Sequence, residues 1–246
     1  MLKHKEQIEG LTAAQKIALL VDGSGKAEGE LSATGILPLA VAELWSGNTA
    51  RAGSSIYPSA ASLANSWNPA LFADVAKRLA HRGAKQGTNL FLLPDSKAPC
   101  SIYGKGLSED PRLNAALLNA AAKGLEKQGS ALCMQAPVPT DEDVDCLHGE
   151  VDARMLHDRM VRPFSGALNG TRCHAVLLPK EGVAEGYTAV GEKMMREAMP
   201  ARAEVLCPEP LHDHTVNELM EHRIILGGSA SALEAALRII NASATL

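Results

Sequence analysis

A chain of 246 residues can enclose one large hydrophobic core, and a single α/β barrel commonly has about this length. The formal net charge of −4, with 21% charged residues, excludes the strongly basic surface that binds nucleic acid or anionic membranes. Aromatic residues make up only 3% of the chain, which disfavours broad surfaces for stacking sugars or bases.

The cysteines and the first residues indicate the compartment. The five cysteines are widely spaced and none forms a C-x-x-C pair, which is typical of reduced thiols. The N-terminal residues are polar and amphipathic, unlike the apolar core of a signal peptide. No apolar run reaches the roughly 18 residues that a membrane span needs. We therefore expect a cytoplasmic protein.

Helical and strand-like segments alternate along the chain, beginning with a helix at residues 12–21. The glycine-rich stretch at 22–29 follows a helix and lacks the complete phosphate-loop pattern, so we interpret it as a surface loop. Apolar runs predict strands at residues 36–44, 89–95, 131–134, 174–178, 203–206 and 223–226. Helices are predicted at 69–82 and 111–127, and from about residues 152, 189, 215 and 229.

This alternation predicts βαβ units, and hence a parallel sheet covered by helices. The pattern by itself leaves open whether the sheet is doubly wound or closed into a barrel. No stretch has the composition of a linker or a low-complexity tract. We therefore expect a single domain over residues 1–246.

Four segments carry more specific patterns: Leu11–Leu20, Tyr57–Pro69 (Y-P-S-A-A-S-L-A-N-S-W-N-P), Ser108–Pro111 (S-E-D-P) and Val151–Phe164. In order and spacing they resemble family 3 glycoside hydrolases, the β-glucosidase and exo-glycosidase family. The matching family segments are the opening helix, the second-strand signature F-P-x-A-x-x-L-A-A-T-W-D-P, S-E-D-P and V-D-E-R-T-L-x-E-x-Y-L-x-P-F. The resemblance implies that family's N-terminal TIM-like (β/α) barrel. Because the chain is somewhat short for it, we expect trimmed loops and a missing or irregular strand.

The sequence departs from the family's pattern at the positions of its catalytic and sugar-binding residues. The family's sugar-holding Asp corresponds to Glu43, followed by Leu44 and Trp45 instead of Gly and Pro. The positions of the family's Arg, Lys, His and nucleophilic Asp are held here by Ile102, Gln135, Ala136 and Pro208. A slip of one residue would offer Glu209 as the nucleophile. The family's common acid/base Glu belongs to a second domain, for which we expect no room before Leu246.

Retaining glycoside hydrolysis needs two carboxyl groups about 5–5.5 Å apart, and a proline cannot replace one of them. Losing the Arg, Lys and His also removes charge-assisted hydrogen bonds to ring hydroxyls. We therefore expect a catalytically degenerate barrel that binds a ligand or serves as a structural subunit. Two alternatives stay open: an active glycosidase of modified chemistry that uses Glu43, Glu181 or Glu209, and a phosphate-handling barrel enzyme.

Candidate binding residues lie at the predicted carboxyl ends of strands, where barrel enzymes build their sites. They are Glu43, Trp45, Asp95 and Lys180. The alternative for the charged residues is a solvated strand end, and Trp45 either stacks on a sugar or closes the barrel mouth. The turn Gly227-Gly228-Ser229 follows a strand and opens a helix, so it is either a phosphate site or a tight turn with a serine cap.

Cofactors and partners complete the expectations. His212-Asp213-His214 is an incomplete ligand set, so we expect no metal, and no other cofactor is indicated. The expected small ligand is a carbohydrate. We also expect a homodimer or a partner chain at the barrel mouth around Trp45, because the missing second domain would leave apolar residues exposed there. These are Leu44, Trp45, Pro137 and Pro210. The alternative is that they fold inward and the protein is a monomer.

Overall fold

The structure is a computed structural model that describes residues 5–20, 34–36, 41–45, 57–97, 106–135, 137, 139, 152–171, 175–177 and 204–206. The helices are α1 (Lys5–Glu9), α2 (Ala13–Leu20), α3 (Ala60–Ala64), α4 (Pro69–Ala84), α5 (Pro111–Glu126), α6 (Ala153–Leu156) and α7 (Arg162–Leu168). A π-helical segment, His157–Val161, joins α6 to α7. The strands are β1 (Val41–Glu43), β2 (Leu90–Leu92), β3 (Ala131–Gln135), β4 (Ala175–Leu177) and β5 (Glu204–Leu206).

The five strands form one parallel sheet in the order β1-β2-β3-β4-β5. Val41 lies opposite Leu90, and Leu90 lies opposite Ala131. The order of the described strands follows the chain, as it does in a (β/α) barrel, and lacks the reversal that defines a doubly wound sheet. The α/β fold class is confirmed. The strand predicted at 223–226, the loop at 22–29 and the helices predicted from residues 189, 215 and 229 lie outside the described residues.

Helices α4 and α5 begin and end within two residues of the predicted bounds. Each has proline at its first position, where no intrahelical N–H bond is lost. Each is preceded by a residue whose side chain caps the first turn. The Oδ1 of Asn68 accepts a hydrogen bond from the Leu71 N–H at 3.1 Å, and the Oδ1 of Asp110 accepts one from the Arg112 N–H at 2.8 Å.

The segment that resembles a second-strand signature contains helix α3 and, within its described residues, no strand. Ser59 starts this helix, because its Oγ accepts a hydrogen bond from the Ser62 N–H at 3.1 Å. β1 pairs directly with β2, so no described strand lies between them. This pairing agrees with the expected missing or irregular strand. Helix α3 escaped the sequence analysis because five residues are too few to show a helical period.

The core lies between the sheet and the helix layer, by which we mean α4, α5 and α7. Two glycines allow close approach of these helices. A Cβ at Gly166 would lie 2.7 Å from the Ala115 Cβ, and one at Gly124 would lie 3.1 Å from the Ala73 carbonyl oxygen. Side chains less than 2% exposed include Phe72, Phe164, Leu117, Leu118, Leu125, Leu132 and Met134. Among the described residues, no helix is long and apolar enough to cross a membrane.

Candidate functional site

A pocket with a volume of about 310 Å³ opens at the carboxyl ends of β1, β2 and β3. The last residues of these three strands, Glu43, Leu92 and Gln135, all line it. The other lining residues are Trp45, Ser59, Ala60, Ala61, Leu93, Pro94, Asp95 and Gly106. We call this set of residues the pocket edge. Parallel α/β barrels place their binding and catalytic residues at this end of the strands, and small-molecule sites have volumes of roughly 300–1,000 Å³.

Glu43 and Trp45 form one wall of the pocket. The Glu43 side chain is exposed, so its carboxylate is accessible to a ligand. The Trp45 ring stacks on Phe72 of helix α4, with ring centroids 4.6 Å apart and an interplanar angle of 27°. Trp45 is half-buried and packs against the hydrophobic core. The tryptophan is therefore a rigid part of the wall, because the helix layer supports its indole ring.

Asp95 is held on the pocket wall by a lysine that the sequence analysis did not single out. The Nζ of Lys97 lies 3.6 Å from Asp95 Oδ2, and the two side chains are 8% and 10% exposed. The Lys97 backbone N–H also donates to Asp95 Oδ1 at 2.9 Å. Both carboxylate oxygens are thus engaged within the chain. Removing either partner would take away part of the compensation of a buried charge.

Two of the positions at which the chain departs from the family's catalytic pattern lie among the described residues, and both line the pocket. Gln135 ends β3 and stands where the family's Lys is expected. Glu43 stands where the family's sugar-holding Asp is expected. A neutral amide can donate and accept hydrogen bonds but carries no charge. Ile102, Ala136 and Pro208 lie outside the described residues.

The structure brings together Glu43, Trp45 and Asp95 from the expected site. The remaining candidates, Lys180, Glu181, Glu209, Gly227, Gly228 and Ser229, lie outside the described residues, as does the segment 212–214. In the part of the chain that the structure describes, no group of three or more His, Cys, Asp or Glu residues could hold a metal ion. Ser59 and Gly106 also line the pocket. Of these two, only Ser59 carried a sequence signal, as a helix cap.

The expectation that Leu44 and Pro137 are exposed at the mouth was wrong. Leu44 is 5% exposed, and its N–H donates to the Leu92 carbonyl at 2.9 Å. This bond continues the β1–β2 ladder beyond Glu43, and the Leu44 side chain joins the hydrophobic core. Pro137 is also buried, and Pro210 lies outside the described residues. The predicted dimer or partner chain therefore loses this part of its support and stays a prediction.

The parallel strand order and the pocket at the strand ends define an α/β protein with a pocket at the carboxyl edge of its sheet. No protein-family model matches the chain. No curated protein matches it either. Its fold is nevertheless that of solved family 3 β-glucosidases, which confirms the resemblance at the level of the fold.

Three solved structures illustrate this likeness. The GH3 β-glucosidase of Bifidobacterium adolescentis has a TM-score of 0.63 and 17% identity over 96% of this chain and 40% of its own. The Kluyveromyces marxianus β-glucosidase has a TM-score of 0.67 and 14% identity over 98% of this chain and 34% of its own. β-Glucosidase 3B of Thermotoga neapolitana, solved with glucose, has a TM-score of 0.59 and 18% identity over 82% of this chain and 33% of its own. The chain thus spans between a third and two-fifths of the length of these relatives.

Proposed function

We propose that this protein binds a carbohydrate or a similar small polyol in the pocket and does not hydrolyse it. The observation that carries the proposal is the convergence of Glu43, Asp95 and Gln135 beside Trp45 at the carboxyl ends of three adjacent strands. Carboxylates and amides bind sugar hydroxyls through paired hydrogen bonds. An indole ring supplies the apolar surface on which a sugar ring can lie.

The lack of hydrolysis is proposed on two grounds. The first is Gln135, whose uncharged amide stands where the resemblance implies a cationic Lys that would grip the substrate. The second is Asp95, whose two oxygens are engaged by the ammonium and the backbone N–H of Lys97. Such a carboxylate suits the positioning of a ligand better than nucleophilic attack or proton donation. The proposed role is therefore that of a catalytically degenerate binding barrel.

A ligand screen by thermal unfolding tests the binding. The probes are glucose, xylose, N-acetylglucosamine, cellobiose and glucose 6-phosphate. A ligand that binds only the folded state raises Tm, by roughly 2–4 °C for each kcal/mol of stabilisation in a chain of this size. We expect Glu43→Gln to weaken the binding of a neutral sugar about tenfold or more, because a hydrogen bond to a charged group is lost.

Glu126→Gln is the matched control for this experiment. It makes the same chemical change at the end of helix α5, close to the start of β3 and hence at the opposite edge of the sheet from the pocket. It should leave the affinity unchanged. No Tm shift with any sugar, or equal weakening by both substitutions, would contradict the proposal. A shift with glucose 6-phosphate alone would support the phosphate-handling alternative.

The second candidate function is an active glycosidase of modified chemistry, because Glu43 and Asp95 are two carboxylates lining one pocket. Aryl β-glucosides, β-xylosides and β-N-acetylglucosaminides test it. We expect no turnover above the uncatalysed rate. Turnover that disappears in Glu43→Gln or Glu209→Gln would establish this candidate and reject the first.

Light scattering of the same samples at micromolar concentration tests the predicted homodimer. A monomer mass without a co-purifying chain would reject it.

A further inference from the structure

We propose that Asn114 is a positioning residue that holds the pocket edge in place by tying the segment after β2 to the segment before α5. Its importance for ligand binding rests on the proposed function, whereas its role in positioning the chain does not. Asn114 lies in the first turn of α5 and is 0% exposed. A buried polar side chain in this position needs a reason, because burial without hydrogen bonds is destabilising.

The Asn114 side chain bridges two stretches of backbone in the connection between β2 and α5. Its Nδ2 donates to the Ser108 carbonyl at 2.8 Å and to the Lys97 carbonyl at 3.4 Å. One amide group therefore satisfies two carbonyl oxygens, one near the start and one near the end of the connection between β2 and α5. Neither carbonyl belongs to a strand or a helix, so regular backbone hydrogen bonding does not fix their positions.

Both bridged segments contribute to the pocket edge. Lys97 holds the Asp95 carboxylate with its ammonium and its N–H, and Asp95 lines the pocket. Ser108 lies two residues after Gly106, and Gly106 also lines the pocket. The Ser108 Oγ accepts the Asp110 N–H at 3.1 Å, which connects this segment to the cap of α5. Asn114 thus anchors both segments to one helix, much as outer-shell hydrogen bonds orient the groups that touch a ligand.

The same helix provides a matched control. The Nδ2 of Asn119 also donates to two carbonyl oxygens, those of Ala167 at 2.9 Å and Asn169 at 2.7 Å. These oxygens lie at the end of α7, and neither residue lines the pocket. Replacement of either asparagine by aspartate keeps the size of the side chain and removes both N–H donors. The two substitutions differ in which backbone segments they release and in burial, because Asn114 is 0% exposed and Asn119 is half-buried.

Amide hydrogen exchange of Asn114→Asp and Asn119→Asp tests the proposal without any ligand. The two variants are compared at denaturant concentrations that give them equal global stability, which removes the effect of a general loss of structure. We expect the Lys97 and Asp110 amides to exchange about five- to tenfold faster in Asn114→Asp than in Asn119→Asp, as the loss of one hydrogen bond implies. Equal exchange in the two variants would overturn the proposal.

Glucose titration of the same variants tests the consequence for the pocket. We expect Asn114→Asp to weaken glucose binding by a similar factor and Asn119→Asp to leave it unchanged. If the wild-type protein does not bind glucose, the proposed function fails, and hydrogen exchange alone decides the positioning role. If Asn114→Asp does not fold, hydrogen exchange is measured on the wild-type protein. Equal opening free energies for the Asn114 side-chain amide and the Lys97 and Asp110 backbone amides would support the proposal. Different opening free energies for these amides would overturn it.

Discussion

The helix layer and the pocket edge are in contact through Phe72 and Trp45 but follow different rules. In the helix layer, buried apolar residues recur with the helical period, prolines start α4 and α5, and polar side chains cap both helices. At the pocket edge and where it meets the helix layer, three buried polar atoms have no hydrogen-bond partner among the described residues: Trp45 Nε1, Ser96 Oγ and, in the first turn of α5, Asn114 Oδ1. Departures from packing rules of this kind are common at functional sites. The helix layer thus contributes stability, and the unpaired polar atoms near the pocket edge are compatible with the proposed ligand site.

The largest expected effect tests the contact between the two regions. Phe72 and Phe164 are both 0% exposed, so replacement of either by alanine should lower the free energy of unfolding by about 3–5 kcal/mol. Only Phe72 stacks on Trp45. In a Trp67→Phe background, where Trp45 is the sole tryptophan, only Phe72→Ala should change the fluorescence emission maximum. Equal emission in the two variants would show that the helix layer does not support the pocket wall.

A smaller effect is expected within the helix layer itself. Gly166→Ala places a Cβ 2.7 Å from the Ala115 Cβ, and overpacking of this kind destabilises proteins by about 1–3 kcal/mol. The better helix propensity of alanine offsets roughly 1 kcal/mol of this loss. Urea unfolding of Gly166→Ala and of the double variant with Ala115→Gly measures the clash. The second substitution should restore part of the stability, and additive losses would disprove close contact between α5 and α7.

A change of about 1 kcal/mol in the opposite direction is expected at Trp67. This residue has a φ of 52° and is 67% exposed. The left-handed conformation destabilises a residue with a Cβ by roughly 1–2 kcal/mol, and the greater flexibility of unfolded glycine offsets part of that. Trp67→Gly should therefore raise Tm by a few degrees. Trp67→Ala keeps the strain while removing the ring, so it should give no such rise. A loss of stability in Trp67→Gly would mean that the exposed indole makes stabilising contacts.

The smallest effect concerns a surface cluster that touches neither the pocket nor the core. The hydrogen bond with His157, and then the charges of Arg162, His157 and Arg154, hold the pKa of Asp158 below its ordinary value. The unfolded chain therefore takes up this proton at higher pH than the folded chain. The contribution is present above the ordinary pKa of about 4 and is lost as pH falls through the lower folded pKa.

Asp158→Asn should therefore flatten the acid side of the curve of stability against pH. The cluster is solvent-exposed, so the change should be slight and should shrink further in 1 M salt. Urea midpoints between about pH 5 and pH 2.5 measure it. Asp74→Asn, at another exposed ion pair on α4, is the control. An acid limb as steep in Asp158→Asn as in the wild-type protein would contradict the assigned role of Asp158.

Some features of the candidate site could be predicted because they depend on local sequence. Strand ends that carry Glu43, Trp45 and Asp95 follow apolar runs, and parallel strands bring their carboxyl ends to one edge. Lys97 and Asn114 were not predicted, because neither has a sequence pattern that distinguishes it from an ordinary surface residue. Their partners lie across a turn or on another element, so their importance became visible only from the distances between them.

By itself, the sequence determined the α/β class, the bounds of α4 and α5, and the likeness to family 3 β-glucosidases. These features arise from periodicity, caps and short motifs, all of which act over a few residues. Only the tertiary structure decided that β1 pairs directly with β2, that Leu44 turns into the core and that Asn114 joins two segments. The physical reason is that strand pairing and burial depend on contacts between residues far apart in the chain, which local propensity does not encode.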